Sequence, residues 1–139
     1  MAASGEVKVD STKLNGASLN LTVGDPNSDL VLGQPDFMTN TANLGGLSGH
    51  SLSSPMTPSS DGQNLFVADG SNHRILIWNQ IPSVSGTAAD INLGQINFQV
   101  LSSALNLKKF LLPWGLEIGG QQMWIADNGN NRVLRIPIP

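Results

Sequence analysis

The feature that most limits the possible fold of this chain is an internal repeat. The segment Asp29–Phe37 reads DLVLGQPDF, and the segment Asp90–Phe98, which lies 61 residues later, reads DINLGQINF. A second pair, at an offset of 58 residues, joins Asn64–Trp78 (NLFVADGSNHRILIW) to Gln122–Ile136 (QMWIADNGNNRVLRI). Because two separate blocks recur in the same order, the chain is predicted to contain two copies of one structural unit, each of which buries its apolar residues by stacking on a neighbour.

Each copy is predicted to form about four β-strands, which is the number in one blade of a β-propeller. Short apolar runs with β-branched and aromatic residues alternate with turns that contain Gly and Asn, a pattern typical of strands in hairpins. Pro58 interrupts the first strand of the first copy, so we expect that strand to be short or distorted. The predicted strands, as equivalent pairs, are Leu30–Leu32 and Ile91–Leu93, Met56–Ser60 and Trp114–Ile118, Leu65–Ala68 and Met123–Ala126, and Ile75–Trp78 and Val133–Ile136.

The hairpin blocks share a finer motif. In both copies a strand ends in Ala-Asp, a loop of Gly and Asn follows, and Asn-x-Arg opens the next strand. This motif resembles that of the NHL repeats, and LGQPDF at Leu32–Phe37 is similar to a segment of a bacterial subgroup of them. The resemblance covers residues 29–139, as a single domain with two NHL-like blade repeats. It implies an all-β fold built from β-propeller blades of four antiparallel strands, two blades in the chain. Residues 1–28 are then N-terminal strands or an extension.

The order of the predicted strands suggests how two blades become a ring. The first copy, from Pro55 to Gly94, has all four strands, whereas the second copy, from Pro113 to Ile136, lacks its last strand. Leu30–Leu32 is a spare strand of the missing kind. The resemblance implies a six-bladed propeller, which three copies of the chain would complete, so a homo-oligomer is predicted and a trimer is favoured. The alternative is that the chain is a fragment of a longer propeller protein.

The composition narrows the classes of partner. Only 12% of the residues are charged and the formal net charge is −3, so nucleic acid is not expected to be a partner, because its binding depends on Lys and Arg. There is no cysteine, which excludes disulfides and thiolate metal sites. No apolar run approaches the roughly 20 residues of a membrane span, so no membrane partner is expected. The first residues do not resemble a signal peptide. The compartment stays open: cytoplasmic, or secreted or periplasmic if a signal has been removed.

The polar residues of the repeat motif are predicted to be structural. One active site needs only one set of catalytic groups, and these groups occur twice. In each hairpin the Asp can accept backbone N–H bonds across the loop, and the Arg can pair with a carboxylate. The residues of this structural motif are Asp69, Asn72 and Arg74 in the first copy and Asp127, Asn130 and Arg132 in the second.

Four residues outside the motif are candidates for ligand binding. Trp114 and Glu117 lie on a predicted inner strand, where a closed ring would bring them near the central channel. Lys108 and Lys109, beside Phe110, are a candidate contact for an anion or a partner. No catalytic residue, no metal site and no cofactor is predicted. The two histidines lie 23 residues apart in loops, and Asp25–Asp36 departs from a calcium loop at its sixth and twelfth positions.

The leading functional interpretation is a non-enzymatic binding or scaffold module that presents loops to a protein or a small ligand. The long loops Gln34–Ser54 and Gln95–Leu112 are the predicted contact surfaces, since binding concentrates on loops held by a rigid scaffold. A propeller hydrolase or lyase with a metal in the central channel is the alternative, and Glu117 is its candidate carboxylate. A third possibility is an inactive fragment of a longer propeller protein.

Overall fold

The computed structural model of the chain describes residues 28–102 and 109–138, which form two antiparallel β-sheets. The first sheet has four strands in the order β1-β2-β3-β4, and the second has three in the order β5-β6-β7. The strands are β1 Pro55–Ser60, β2 Leu65–Asp69, β3 Arg74–Trp78, β4 Ile91–Leu93, β5 Pro113–Gly119, β6 Gln122–Asp127 and β7 Arg132–Pro137. The described residues contain no α-helix, and hence no helix of the length and apolarity that a membrane crossing requires.

The all-β class is therefore confirmed, with one sheet of four antiparallel strands and one of three. Each sheet is a run of strands that pair with their neighbours in sequence. Short turns join all of these strands except β3 and β4, which are joined by the loop of residues 79–90. In the first sheet Val67 pairs with Leu76, and in the second sheet Ile125 pairs with Leu134 at the equivalent position.

The two long hairpins turn in the same way. A single 3₁₀ turn, Gly70–Asn72 in one and Asn128–Asn130 in the other, follows the second strand of each sheet. The next residue has a left-handed backbone, with φ of 54° at His73 and 52° at Asn131. Asn tolerates this conformation better than most residues because its side chain can bond locally. The turn of each hairpin therefore lies in the Gly- and Asn-rich loop that was predicted from the sequence.

The first strand of each sheet is irregular. β1 is six residues long, so it is not short, but its register with β2 shifts between Pro55 and Pro58. In β5 the register with β6 shifts in the same way, between Pro113 and Leu116. β5 has Leu116 at the position of Pro58 in β1 and shows the same register shift. Pro58 is therefore not the cause of the irregularity in β1. The irregularity belongs to the repeated unit.

The predicted strand at Leu30–Leu32 is wrong for the single chain. These residues form no sheet in the described structure. The N–H of Val31 donates to Oγ of Ser85 at 3.1 Å, and its carbonyl accepts from the N–H of Gly86 at 2.9 Å. The segment is thus held by a loop and not by a strand, although its equivalent Ile91–Leu93 pairs with β3.

The main core lies between the two sheets, which approach each other along β1 and β5. The buried residues that fill it come from both sheets and from the segment before β5: Phe66, Ala68, Ile75, Phe110, Leu116, Met123 and Ile125. A second cluster covers the opposite face of the first sheet: Leu52, Val67, Leu76, Trp78 and Ala89. Both faces of the first sheet are therefore covered, as the continuous apolar runs of β2 and β3 predict.

Candidate interaction surface

A buried polar network fixes the hairpin of the first sheet. Oδ2 of Asp69 accepts hydrogen bonds from Nε of Arg74 and Nδ2 of Asn72, each at 2.7 Å. Oδ1 of Asp69 accepts the backbone N–H of Ser53 at 2.7 Å. Arg74 also donates to the carbonyls of Ser51 at 2.8 Å, and of Ser48 and Phe98 at 3.0 Å. All three nitrogens of the guanidinium therefore donate, and the two terminal nitrogens connect loops to the sheet.

The second sheet repeats this network. Nε of Arg132 and Nδ2 of Asn130 donate to Oδ2 of Asp127 at 2.7 and 2.9 Å. The N–H of Leu111 donates to Oδ1 of Asp127 at 2.7 Å, and Arg132 donates to the carbonyl of Lys109 at 3.1 Å. Both Asp side chains are fully buried; the side chain of Arg74 is also fully buried, whereas that of Arg132 is 23% exposed.

The motif residues lie in the two hairpins, and part of their network was not foreseen from the sequence. The backbone N–H groups that the two Asp residues accept belong to Ser53 and Leu111, before the first strand of each sheet, and not to the hairpin loop. Gln95 was also missed. Its Nε2 donates to the carbonyl of His73 at 3.0 Å and to that of Ser102 at 2.8 Å. The identity of Gln34 and Gln95 in the repeat was the available signal.

The outer face of the second sheet is exposed, whereas the equivalent face of the first sheet is buried. Trp124 and Val133 are 46% and 65% exposed, and both project from this face. Their equivalents in the first sheet, Phe66 and Ile75, are 1% and 0% exposed because the second sheet covers them. We call this outer face the open face, and a shallow depression on it is lined by Thr57, Gly115, Leu116, Glu117, Trp124, Ala126 and Val133.

Two of the predicted ligand-binding residues lie at or beside the open face. Glu117 is exposed and pairs with Trp124 across β5 and β6, so its carboxylate shares the face with the indole. Trp114 is 56% exposed and lies in the irregular part of β5. Above the ring of Trp124, the guanidinium carbon of Arg135 lies 5.9 Å from the centroid, which is within the range of a cation–π contact.

Of the two lysines predicted to bind a ligand, only Lys109 belongs to the described part of the chain. Nζ of Lys109 donates to Oγ of Ser102 at 2.7 Å, and its carbonyl accepts from Arg132. Lys109 therefore holds the loop to the second sheet, and it is not brought together with Trp114 or Glu117 by any contact of the described residues. Lys108 lies outside the described residues, as do residues 1–27 and therefore the first three residues of the Asp25–Asp36 segment.

The two histidines contact different backbone groups. Nδ1 of His50 lies 2.7 Å from the carbonyl oxygen of Gly86, and Nδ1 of His73 accepts the N–H of Leu112 at 3.1 Å. Within residues 28–102 and 109–138, no group of three His, Asp or Glu side chains is arranged to hold a metal ion.

The loops carry exposed apolar residues and two ordered acidic turns. Met38 is 92% exposed and Ile96 is 80% exposed. In the loop of Met38, hydrogen bonds from the Thr39 hydroxyl and the Met38 N–H lower the pKa of Asp36. In the turn between β1 and β2, hydrogen bonds from the side chain and backbone of Asn64 lower the pKa of Asp61. These contacts keep both turns ordered at the surface.

Comparisons with known proteins give no match: no family model, no curated protein and no solved structure is similar to this chain.

Proposed function

We propose that this protein is a non-enzymatic binding or scaffold module, in which each sheet is one blade of an NHL-like β-propeller and further copies of the chain complete the ring. The favoured assembly is a trimer with six blades. The completed ring presents its long loops to a protein or a small ligand.

The observation that carries this proposal is the open face. Trp124, Ala126 and Val133 occupy the positions at which Phe66, Ala68 and Ile75 are buried against the next sheet. Fully burying an exposed Val side chain, such as that of Val133, stabilises a structure by about 1.5–3 kcal/mol. A sheet of another copy stacked on the open face would recover this energy. In the ring that sheet is the first sheet of the next copy, with the face that carries Val67 and Leu76. Leu52 and Ala89 of the same chain already pack on this face, so the open face would meet the first sheet together with the residues that cover it.

The loops support a binding role. The segment from Gln34 to Ser54 is held by the first sheet through Arg74, and a network on a rigid scaffold is what positions a contact loop. Met38 projects from this loop with almost all of its surface exposed. A flexible and polarisable side chain at such a position suits contact with the apolar surface of a protein.

The test is the absolute mass in solution, measured by light scattering on a size-exclusion column. The chain mass is 14.7 kDa, and three times this value is expected. Trp124→Asp places a charge at the centre of the open face and is expected to give a monomer with an unchanged far-ultraviolet circular dichroism spectrum.

Ile81→Asp is the matched control, because Ile81 has a similar exposed fraction of 51% but lies outside the open face. Its mass is expected to equal that of the unsubstituted chain. A monomeric unsubstituted chain at concentrations up to about 100 µM, where most specific interfaces are occupied, would contradict the proposal. So would a multimer that Trp124→Asp leaves intact.

A further inference from the structure

We infer that Leu30–Leu32, within the segment Leu30–Gln34 of one copy, is the fourth strand of the second sheet of another copy, where it pairs antiparallel with β7. This inference rests on the proposed function and identifies the contact by which the copies join. It makes the contact head-to-tail, since the segment and β7 are different surfaces of the same chain.

The segment is already seated as a fourth strand would be. A side chain at Gly33 would place its Cβ 2.7 Å from Cδ1 of Leu52, and one at Gly94 would place its Cβ 2.5 Å from Cδ2 of Phe110. Leu52 and Phe110 are equivalent in the repeat, so each LGQ segment packs closely on the sheet that follows it. The segment that contains Gly94 is also hydrogen-bonded to the sheet that precedes it, through β4. For the segment that contains Gly33, residues 28–102 and 109–138 include no preceding sheet.

The backbone of the segment has the alternation that such pairing needs. The N–H and carbonyl of Val31 are both bonded, to Ser85 and Gly86. Leu30 and Leu32 have no backbone hydrogen bond to any described residue. In an extended strand the groups of neighbouring residues point to opposite sides. Pairing of this segment as a strand would therefore use the backbone groups of Leu30 and Leu32 and leave the bonds of Val31 to the Ser85 loop intact.

The edge that complements them is that of β7. Among the described residues β7 pairs only with β6, whereas its equivalent β3 pairs with β2 and β4. An exposed strand edge of this kind is a template for pairing with another chain. The pairs of β3 with β4 are Ile75 with Leu93, Leu76 with Asn92 and Ile77 with Ile91. Transferred through the repeat, these pairs become Val133 with Leu32, Leu134 with Val31 and Arg135 with Leu30 of the second copy.

The side chains of Gln34 and Phe37 give further support for the same contact between copies. Nε2 of Gln95 bonds the hairpin of the sheet that β4 completes, at the carbonyl of His73. Nε2 of Gln34 donates to the carbonyl of Thr41 at 2.9 Å, which corresponds to the bond from Gln95 to Ser102. Among the described residues, Gln34 makes no bond to a hairpin. The carbonyl of Asn131 is the equivalent of the His73 carbonyl in the second sheet. In the joined copies, Nε2 of Gln34 would therefore donate to the carbonyl of Asn131 of the other copy. Likewise Phe98 packs on the first sheet, whereas its equivalent Phe37 is 55% exposed.

A disulfide tests the register, because the chain has no cysteine of its own. Val31→Cys with Leu134→Cys joins a pair that is not hydrogen-bonded in the inferred register, whose Cα atoms lie about 4.5 Å apart, within the range for a disulfide. Oxidation with diamide is expected to give covalent multimers, with closed rings that retain no free thiol. Leu76→Cys with Asn92→Cys is the matched positive control and is expected to crosslink within one chain. Val31→Cys with Asp61→Cys is the negative control and is expected to stay uncrosslinked.

The reduced variant and the unsubstituted chain are weighed by light scattering in parallel, and amide hydrogen exchange is measured on the unsubstituted chain. Protection of the Leu30, Leu32, Val133 and Arg135 amides at least 100-fold beyond that of unpaired amides is the expected result, and it needs no substitution. A multimer without crosslinks and without this protection overturns the inference while the proposed assembly stands. A monomeric unsubstituted chain overturns both.

Discussion

The guanidinium of Arg74 and the carboxylate of Asp69 form an ion pair that is fully shielded from solvent, with Nε 2.7 Å from Oδ2 and no exposed surface on either side chain. A buried pair is stable only when its remaining hydrogen-bonding groups are satisfied. Here Asn72 and the N–H of Ser53 also donate to the carboxylate, and the guanidinium donates to three carbonyls in addition to the carboxylate. The pair therefore connects the hairpin, the segment before β1 and the loop after β4.

Removing the arginine is expected to destabilise the first sheet strongly. Arg74→Ala leaves the Asp69 charge buried without its partner, which costs about 3–5 kcal/mol. Arg132→Ala is the matched variant in the second sheet and is expected to cost less, because the side chain of Arg132 is 23% exposed. Urea unfolding at fixed protein concentration measures both. A larger loss for Arg132→Ala than for Arg74→Ala would contradict this ranking.

The LGQ segment is expected to be sensitive to any side chain at its glycine. Gly94 has φ of 102°, and a Cβ there would lie 2.5 Å from the ring of Phe110. Gly94→Ala therefore carries backbone strain of about 1–3 kcal/mol and a further overpacking cost of about 1–3 kcal/mol.

Gly62→Ala separates these two costs. Gly62 has a similar φ of 95°, but no atom lies within 4 Å of the position of its Cβ. It is expected to show the backbone cost alone in the same urea experiment. Equal losses for the two variants would mean that the contact between Gly94 and Phe110 is loose.

The sequence was sufficient to predict the strands of both sheets, because apolar runs and turn residues are local signals that occur twice. It also identified the residues of the hairpin network. It did not predict that Asp69 and Asp127 bind the backbone of Ser53 and Leu111, since such contacts depend on where a distant segment lies. The strand predicted at Leu30–Leu32 is absent for a physical reason: a strand needs a partner, and within the described residues none is adjacent.

Among the predicted site residues, Trp114 and Glu117 both lie in β5, and their position near the channel of a closed ring stays a prediction. Strand order alone indicates an inner position near a channel. The pairing of Glu117 with Trp124 places its side chain on the open face. Which face a residue occupies depends on the register, and the shift between Pro113 and Leu116 changes the register in a way that no local pattern reveals.

The turn between β1 and β2 is expected to respond to acid. Hydrogen bonds from Asn64, and from the N–H of Gln63, lower the pKa of Asp61 below its ordinary value. A carboxylate whose pKa is lowered by folding adds stability above its ordinary pKa of about 3.9, and this stability is lost as the pH falls through the lowered value. Asn64→Ala is expected to raise the pKa of Asp61 towards the ordinary value in a carboxyl NMR titration. The pKa of Asp36, in a separate turn, serves as the control and is expected not to change.

His73 is expected to be a contact that holds the two sheets together. It lies at the turn of the first hairpin, and its Nδ1 accepts the N–H of Leu112, which directly precedes β5. An acceptor at Nδ1 requires the proton to be on Nε2, a tautomer that ¹⁵N NMR identifies. His73→Asn keeps a residue that tolerates φ of 54° and is expected to cost about 1 kcal/mol for the lost bond. In this variant, the Leu112 amide is expected to exchange faster than in the unsubstituted chain. An unchanged exchange rate would mean that the Leu112 amide is protected by another group.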